Sequence, residues 1–402
     1  MINVLIEGWI NIPHSYCIVN LYQILALNKI PNLQLYLQDV PVYNESWIDK
    51  NEIGELLLST GEQNIINNLP RYSNNCTIDL IYRISFKYDI SHPKLSPVPP
   101  VLLFYTSEFK VIPDDSFCFG HRSVKNVTLE DLYDKIKLGS FYCTTPSNWS
   151  ACGLLKYQPI VIPHGVDTSK YYLDFSKREY TRLKYNIPAD AFVYLNVGAM
   201  TGNKGIKTLI KTFYKVIVSS DDDTSPFLVL KGLEQLYKSQ DLISTYLKEL
   251  VAENSIVWKT VKNKLIYIPD TLHYNDMRDL FNACDCYVSP YIAEGFNIPV
   301  LDAVACGLPV IVTKHGPTDD FTNSTFALYP DTIQVKTTIG QHLLLIDEIS
   351  LLDKMIRVIN DTEFRHIAAK SGPKFVSENY TWDIVAEKLM VVFTNITSQN
   401  NV

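Results

Sequence analysis

Two segments of the chain share one pattern, a short apolar run that ends at a glycine and is followed by apolar positions at helical spacing. The first run extends from Asn3 to Gly8, and a helical pattern follows from Tyr16 to Leu27. The second run extends from Ala191 to Gly198, and a helical pattern follows from Ile206 to Val218. Strand, glycine turn and helix together begin a Rossmann-like unit. The sequence therefore predicts two such units.

Further apolar runs alternate with helical patterns in both halves. Helical spacing extends from Leu233 to Glu253, from Tyr274 to Cys284 and from Trp382 to Phe393. Unbroken apolar runs are typical of parallel strands that are buried on both faces. The pattern predicts an α/β fold in which helices cover both faces of parallel sheets. The candidate strands are Pro100–Tyr105, Phe227–Leu230, Ile266–Ile268, Cys286–Ser289 and Pro309–Thr313.

Size and composition restrict the class of protein. At 402 residues the chain exceeds what one hydrophobic core usually serves, so two domains are expected. The hydrophobic fraction of 47% indicates a folded protein, and the net charge of −7 argues against an extended nucleic-acid interface. No apolar run approaches the roughly 20 residues that span a bilayer. Met1–Gly8 lacks the basic region of a signal peptide, so we expect a strand there and a cytoplasmic protein, with peripheral membrane contact left open.

The eight cysteines show no spacing typical of a metal site. Cys284 and Cys286 form a C-x-C pair, Cys152 and Cys306 stand alone, and no histidine cluster accompanies them. We expect buried free thiols in a reducing compartment and no bound metal. The charge run Asp221–Asp223 is interpreted as a solvated loop, and His121 as a histidine with a structural role.

The residues that suggest a ligand site lie between positions 294 and 312. Glu294 lies in a glycine-containing loop, and Asp302 lies eight residues later, inside a helix predicted to begin near Pro299. Proline suits a helix start because the amide hydrogen that it lacks would have no partner there. The unpaired amides and partial positive charge of the start suit a phosphate. Carboxylates would repel a phosphate but accept hydrogen bonds from hydroxyls, so the combination predicts a nucleotide-sugar site.

Four stretches resemble the retaining glycosyltransferases of family 4, which have the two-domain GT-B architecture. The donor-site signature of that family is similar to Ser289-Pro290 followed by Glu294–Val312, with Asn297 in place of a glycine and Asp302 in place of a glutamate. The other three follow the family's order along the chain, and the resemblance covers about residues 100 to 390. They are Pro146–Ser150 with Val161–Asp167, Asn196–Gly198 with Lys204-Gly205, and Tyr380–Trp382.

This resemblance implies two Rossmann-like domains that face each other across a cleft. Residues 1–168 would bind the acceptor, residues 169–380 would bind the donor, and a helix within 381–402 would cross back to the first domain. It also implies that a sugar moves, with retention of configuration, from a donor such as a UDP- or GDP-sugar to a hydroxyl of a glycan, lipid-linked sugar or polysaccharide. Relatives use protein cations instead of a metal, so no cofactor is expected. The departing phosphate oxygen is expected to take the acceptor's proton.

The resemblance assigns roles to single residues as well. Lys204 would contact the distal phosphate of the donor, with a solvated loop lysine as the alternative. Glu294 would accept hydrogen bonds from the sugar and Asp302 from the ribose; the alternative is that both acids only stabilise the helix start. The remaining donor-binding candidates offer backbone amides or glycine turns. They are Gly8, Gly198, Gly295, Phe296, Asn297 and Ile298.

Two further positions depart from the family pattern. Ala199 stands where the family usually has an arginine, so either Lys231 or Lys314 replaces that phosphate contact, or activity is weaker or differently specified. Near Tyr105 many members have a histidine that this chain lacks. Glu108 is instead a candidate for acceptor binding or proton transfer, with a structural role as the alternative.

Other functions remain open at this point. A nucleotide-sugar epimerase or a glycosyl phosphorylase has the same architecture, and the missing arginine and histidine suit a non-catalytic sugar-nucleotide-binding protein. A dinucleotide-dependent dehydrogenase is disfavoured because no Gly-x-Gly-x-x-Gly follows the first strand. The sequence does not specify the base, the sugar, the acceptor or the oligomeric state.

Overall fold

A computed structural model describes residues 1–12, 14–41, 56–120, 127–219, 226–253 and 256–399. The chain divides into two compact units, one formed by Met1–Gly165 with Tyr380–Val402 and the other by Val166–Asn379. The chain passes from the first unit to the second after Gly165, whereas the sequence analysis predicted this boundary after residue 168. The loop expected at Asp221–Asp223 and the lone His121 lie outside the described residues.

The first unit is built on a six-stranded parallel sheet. The unit has eight strands among the described residues, six of them in this sheet. They are β1 (Ile2–Gly8), β2 (Leu33–Asp39), β3 (Leu80–Ile84), β4 (Tyr88–Asp89), β5 (Val101–Phe104), β6 (Phe117–Cys118), β7 (Phe141–Thr145) and β8 (Ile160–Val161). Its first four helices are α1 (Ser15–Leu27), α2 (Thr60–Asn68), α3 (Leu129–Lys137) and α4 (Asn148–Ala151). The sheet order is β2-β1-β3-β5-β7-β8, and β4 pairs separately with β6. Every residue of β3 and β5 is buried, which explains the unbroken apolar run predicted as a strand at Pro100–Tyr105, whereas β3 includes the buried Arg83 paired with Glu7.

The second unit repeats this plan. Its helices are α5 (Arg178–Lys184), α6 (Ile206–Val218), α7 (Glu234–Tyr237), α8 (Ser239–Glu253), α9 (Ile256–Val261), α10 (Tyr274–Ala283), α11 (Ile298–Ala305), α12 (Glu348–Asn360) and α13 (Thr362–Asn379). Its strands are β9 (Val193–Val197), β10 (Phe227–Lys231), β11 (Leu265–Ile268), β12 (Cys286–Ser289), β13 (Val310–Val312), β14 (Ala327–Leu328), β15 (Thr332–Lys336) and β16 (His342–Ile346). The parallel sheet has the order β11-β10-β9-β12-β13-β14, and β15 and β16 form an antiparallel hairpin. The predicted parallel sheets are confirmed.

One predicted helix is wrong. The apolar spacing from Leu233 to Glu253 predicted a single helix, but the structure has two, because Lys238 between them adopts a left-handed conformation with φ 46°. The turn brings the Ser239 hydroxyl to the carbonyl oxygen of Ala199, to which it donates at 3.0 Å. A tertiary contact therefore accompanies the interruption of the helical pattern.

The C-terminal helix α14 (Trp382–Gln399) belongs to the first unit and packs on α1. The ring of Trp382 stacks on that of Tyr22, with centroids 5.6 Å apart and planes 4° apart. Where the chain leaves the first unit, a β-carbon added at Gly165 would lie 2.7 Å from the amide nitrogen of Trp382, so only a glycine allows these segments to approach so closely. Among the described residues, no helix combines the length and the hydropathy that crossing a membrane requires.

Candidate functional site

Two loops of the second unit, which follow β9 and β12, are tied together by Asn203. Its carbonyl oxygen accepts hydrogen bonds from the amides of Ile292 at 2.7 Å and Ala293 at 3.2 Å. Its side-chain amide donates to the carbonyl of Ala293 at 3.1 Å, and its side-chain oxygen accepts from the Thr201 hydroxyl at 2.6 Å. Sequence reasoning missed Asn203, because its partners are about 90 residues away and no local pattern marks them.

Gly205 allows these loops to approach closely. Its φ is +69°, a left-handed conformation that side chains disfavour, and an added β-carbon would lie 1.9 Å from the carbonyl oxygen of Pro290. Any side chain here would force the backbone of one loop to move. The glycine that the sequence singled out beside Lys204 therefore has a steric role in the second unit.

Lys204 and Glu294 meet where these loops touch. The Lys204 ammonium lies 2.6 Å from Glu294 Oε1, and the two side chains are 20% and 10% exposed. At this distance the lysine offsets most of the carboxylate's charge. The paired acid would therefore repel an anion at the nearby helix start less than an isolated carboxylate would.

The start of α11 follows directly after Glu294. Asn297 caps the helix with φ 81° and ψ 65°, and its side-chain amide donates to the Ser289 hydroxyl at 2.9 Å. Asparagine tolerates this left-handed conformation better than most residues, which explains how it replaces a glycine. Ile298 is the first helical residue and Pro299 the second, so the predicted helix start is correct to within one residue.

The side chain of Phe296 is used for packing. Its ring stacks on Phe321, with centroids 4.5 Å apart and planes 24° apart, and the residue is buried. Gly295 and Phe296 lie in the turn that leads into α11, and the Phe296 side chain is buried against Phe321. The packing role expected for the Phe296 side chain agrees with this contact, and the binding of a ligand by the amides of this turn stays a prediction.

Asp302 lies in the second turn of α11, not in its first turn as the alternative interpretation assumed. Burial raises the pKa of its carboxyl to about 8. Burial raises the pKa values of the Tyr171 and Tyr287 phenols, and the negative charge of ionised Asp302 raises them further. An acid that is partly protonated near neutral pH can both donate to and accept from a ligand hydroxyl.

Two further candidates, Gly8 and Glu108, belong to the first unit. Gly8 ends β1, and a β-carbon there would lie 2.6 Å from Asn20 Nδ2 and 2.7 Å from Ile84 Cγ2, so packing against α1 accounts for this glycine. The backbone carbonyl of Glu108 accepts from Trp149 Nε1 at 2.7 Å. The roles of Gly8 in donor binding and of Glu108 in acceptor binding stay predictions.

An open crevice lies at the carboxyl ends of β1 and β2. It has a volume of about 480 Å³ and polar walls that include Asn11, Gln38, Asp39 and Arg71, with Leu37 at an apolar wall. Amide, carboxylate and guanidinium groups suit a ligand that carries several hydroxyls. Sequence reasoning did not single out any of these residues.

The cysteines bear out part of the expectation. All eight are free, and six are buried, whereas Cys76 is partly exposed and Cys152 is exposed. In the parts of the chain that the structure describes, no group of three or more histidine, cysteine, aspartate or glutamate residues could hold a metal ion.

Comparison with known proteins assigns the second unit to a family. Residues 177–375 match the family model described as glycosyl transferases group 1. The second unit belongs to the group 1 glycosyltransferases. This agrees with the resemblance to family 4, and the matched segment contains the Lys204–Glu294 pair and the whole of α11.

Two curated relatives show the extent of the similarity. The uncharacterized glycosyltransferase MJ1607 of Methanocaldococcus jannaschii is 24% identical over 58% of this chain and 53% of its own length. The capsular polysaccharide biosynthesis glycosyltransferase CapM of Staphylococcus aureus is 26% identical over 59% of this chain and 54% of its own. The chain thus spans about half the length of the curated relatives that it matches.

A solved structure confirms the fold of the whole chain. Anabaena Alr3699/HepE in complex with UDP and glucose matches with a TM-score of 0.62 and 15% identity, covering 98% of this chain and 100% of the other. Identity this low shows the fold alone. The predicted GT-B class, two α/β domains with parallel sheets, is confirmed.

Proposed function

We propose that this protein transfers a sugar from a nucleotide-diphosphate-sugar donor to a hydroxyl acceptor and retains the anomeric configuration. The observation that supports this proposal most is the Lys204–Glu294 ion pair beside the start of α11, inside the family-matched segment. Helix-start amides suit a diphosphate, the lysine supplies a cation, and the carboxylate accepts from sugar hydroxyls. The Anabaena protein was solved with UDP and glucose, which favours a nucleotide sugar as the donor.

The proposed reaction needs no protein nucleophile. The bond between C1 of the sugar and the phosphate oxygen breaks, and a bond between C1 and the acceptor oxygen forms on the same face. Negative charge grows on the departing phosphate, where Lys204 and the amides of residues 295–298 would stabilise it. Removing one such preorganised donor typically costs about 10²–10³ in rate. The departing phosphate oxygen takes the acceptor's proton, so the nucleoside diphosphate leaves protonated.

The acceptor is proposed to bind to the first unit. The crevice beside Asp39 and Arg71 offers both signs of charge and several amide groups, which suits the hydroxyls of a glycan or the sugar of a glycolipid. Glu108 is proposed to contact the acceptor or take part in proton transfer. A lipid-linked acceptor would bring the protein to a membrane surface as a peripheral protein.

The proposal is tested in two steps. Thermal unfolding against UDP-, GDP-, ADP- and dTDP-sugars identifies the donor, because a ligand that binds the folded state raises its apparent stability. Transfer is then measured for the wild type and for Glu294→Ala, with product configuration determined by NMR. We expect Glu294→Ala to fold and to lose transfer, and the wild-type product to keep the donor's configuration. The control is Glu348→Ala, which removes an acid that pairs with Lys211 and Lys215 on another helix surface.

Each alternative has its own outcome in these assays. An inverted linkage would exclude the retaining mechanism, and transfer at the wild-type rate by Glu294→Ala would exclude the assigned site. An epimerised sugar formed from donor alone would favour the epimerase. Donor binding with neither transfer nor slow hydrolysis would favour a non-catalytic binding protein.

A further inference from the structure

The second unit contains a buried lysine, Lys231, for which the described residues provide no carboxylate within ion-pair distance. Among the described residues, four lysine or arginine residues are buried, and in three of them a carboxylate pairs with the cation. Arg83 pairs with Glu7 at 2.5 Å, Arg182 with Asp285 at 2.8 Å and Lys170 with Asp167 at 3.6 Å. The fourth, Lys231, is 4% exposed, and its ammonium donates to the carbonyl oxygen of Gly232. No acidic side chain described in the structure lies within ion-pair distance of it.

The burial of an ammonium group without a nearby carboxylate requires a physical explanation. Removing an ammonium from water is costly unless a counter-charge compensates for it. A methionine of similar length would fill the same space without that cost. Burial, opposed by the charge of Asp270, lowers the pKa of Lys231 to about 8. The ammonium is therefore a group that an incoming anion would stabilise.

The position of Lys231 points to which anion that is. Lys231 is the last residue of β10 and lies opposite Val197, the last residue of β9. Its carbonyl oxygen accepts from the amide of Gly198 at 3.0 Å. Because its ammonium reaches the carbonyl of Gly232, just beyond the strand, the charge lies at the carboxyl edge of the sheet.

The loop at this edge is the one that carries Lys204. Ser239 joins the segments after β9 and β10, since its hydroxyl donates to the carbonyl of Ala199 and accepts from the amide of Leu233. An added β-carbon at Gly198 would have no atom within 4 Å, so the space beside this loop is open. Ligands of open parallel sheets bind at this edge.

We propose that Lys231 is a second phosphate-binding cation of the donor site, which pairs with the diphosphate group that Lys204 also contacts. This inference depends on the proposed function and adds a residue to it. Five other charged or titratable groups of the neighbouring segments bear on this site, and four of them are paired with one another. The Tyr267 hydroxyl donates to Glu234 at 2.7 Å, and Lys204 pairs with Glu294. Asp270 is the carboxylate that acts on Lys231, from beyond ion-pair distance.

The first test uses Lys231→Met, which keeps the length of the side chain and removes its charge. Affinity for UDP and for uridine is measured by calorimetry, or for another nucleoside diphosphate and its nucleoside if the wild type prefers that base. We expect UDP affinity to fall about 10- to 100-fold, the range for a lost charged hydrogen bond, with uridine affinity unchanged. The matched control is Lys354→Met, a lysine on α12 that pairs with Asp353 and should leave both affinities unchanged.

The second test uses the wild type and does not depend on a folded variant. At pH 8.5 part of Lys231 is neutral, so binding of UDP should take up a proton, seen as a heat that depends on the ionisation enthalpy of the buffer. Uridine provides the comparison, because it has the ribose that Asp302 would contact and no phosphate. We expect more proton uptake with UDP than with uridine at pH 8.5, and no difference at pH 6.5 after correction for ionisation of the nucleotide.

Three results would overturn the inference while the proposed function stands. The first is that Lys231→Met binds UDP with wild-type affinity, and the second is that its affinities for UDP and uridine fall by the same factor. The third is that the wild type takes up the same number of protons on binding either ligand at pH 8.5. If the wild type binds no nucleoside diphosphate, the proposed function itself fails.

Discussion

Replacing Gly205 by alanine should separate the loops that bring Lys204 to Glu294. The added β-carbon would lie 1.9 Å from the Pro290 carbonyl oxygen, and φ is +69°. The left-handed conformation alone costs about 1–2 kcal/mol for an L residue. The overlap also forces the backbone to move and strains the three hydrogen bonds between Asn203 and the opposite loop, each worth about 1 kcal/mol. We therefore expect the unfolding free energy of the second unit to fall by about 3–5 kcal/mol.

The control for Gly205→Ala is Gly139→Ala. Gly139 has φ +70°, and a β-carbon there would have no atom within 4 Å, so this change isolates the cost of the backbone conformation. Scanning calorimetry should show a midpoint loss of roughly 10 °C for Gly205→Ala, at about 2–4 °C per kcal/mol for a domain of this size, and only a few degrees for Gly139→Ala. UDP affinity should fall in Gly205→Ala alone. Equal midpoint losses in the two variants would refute the steric argument.

Three further predictions follow from the second unit. Lys204→Ala should weaken UDP binding by about 10- to 100-fold and uridine binding hardly at all, measured by calorimetry; equal losses would contradict a phosphate contact. Asp302 has its pKa raised from 3.8 to about 8, so ionising it opposes folding, and this penalty grows as pH rises from about 4 towards 8. Asp302→Asn should therefore raise the unfolding midpoint more at pH 9 than at pH 5, and an equal gain at both would contradict the burial argument. Asp285→Asn leaves the buried Arg182 without its counter-charge and should cost about 3–5 kcal/mol in urea unfolding; a loss below about 1 kcal/mol would contradict its structural role.

Much of the fold could be predicted from local patterns. The helix at Ile206–Val218 and the strand at Cys286–Ser289 have the bounds that apolar spacing predicted, because burial of one helical face or of both strand faces determines those residues. The break at Lys238 could not be predicted, since the apolar spacing continues across it.

Only part of the candidate site could be predicted from the sequence, because local patterns do not show contacts between distant residues. A proline marks a helix start from the residue alone, so the start of α11 was predicted from Pro299, whereas Gly205 was noted only through the resemblance to family 4. The ion pair between Lys204 and Glu294 joins residues about 90 positions apart, and it depends on loops that Asn203 holds together. The side chain of Asn297 likewise donates to a hydroxyl of another segment, that of Ser289. Such contacts need the folded chain, because sequence spacing carries no information about them.

A crystal structure of the protein with a bound nucleoside diphosphate tests the central claim most directly. UDP and GDP would be soaked in parallel, since the base is not specified. The account predicts density for the diphosphate within hydrogen-bond distance of the Lys204 ammonium and of amides at the start of α11, with Glu294 free to accept from a sugar hydroxyl. A nucleotide bound elsewhere on the protein, with this helix start unoccupied, would contradict it.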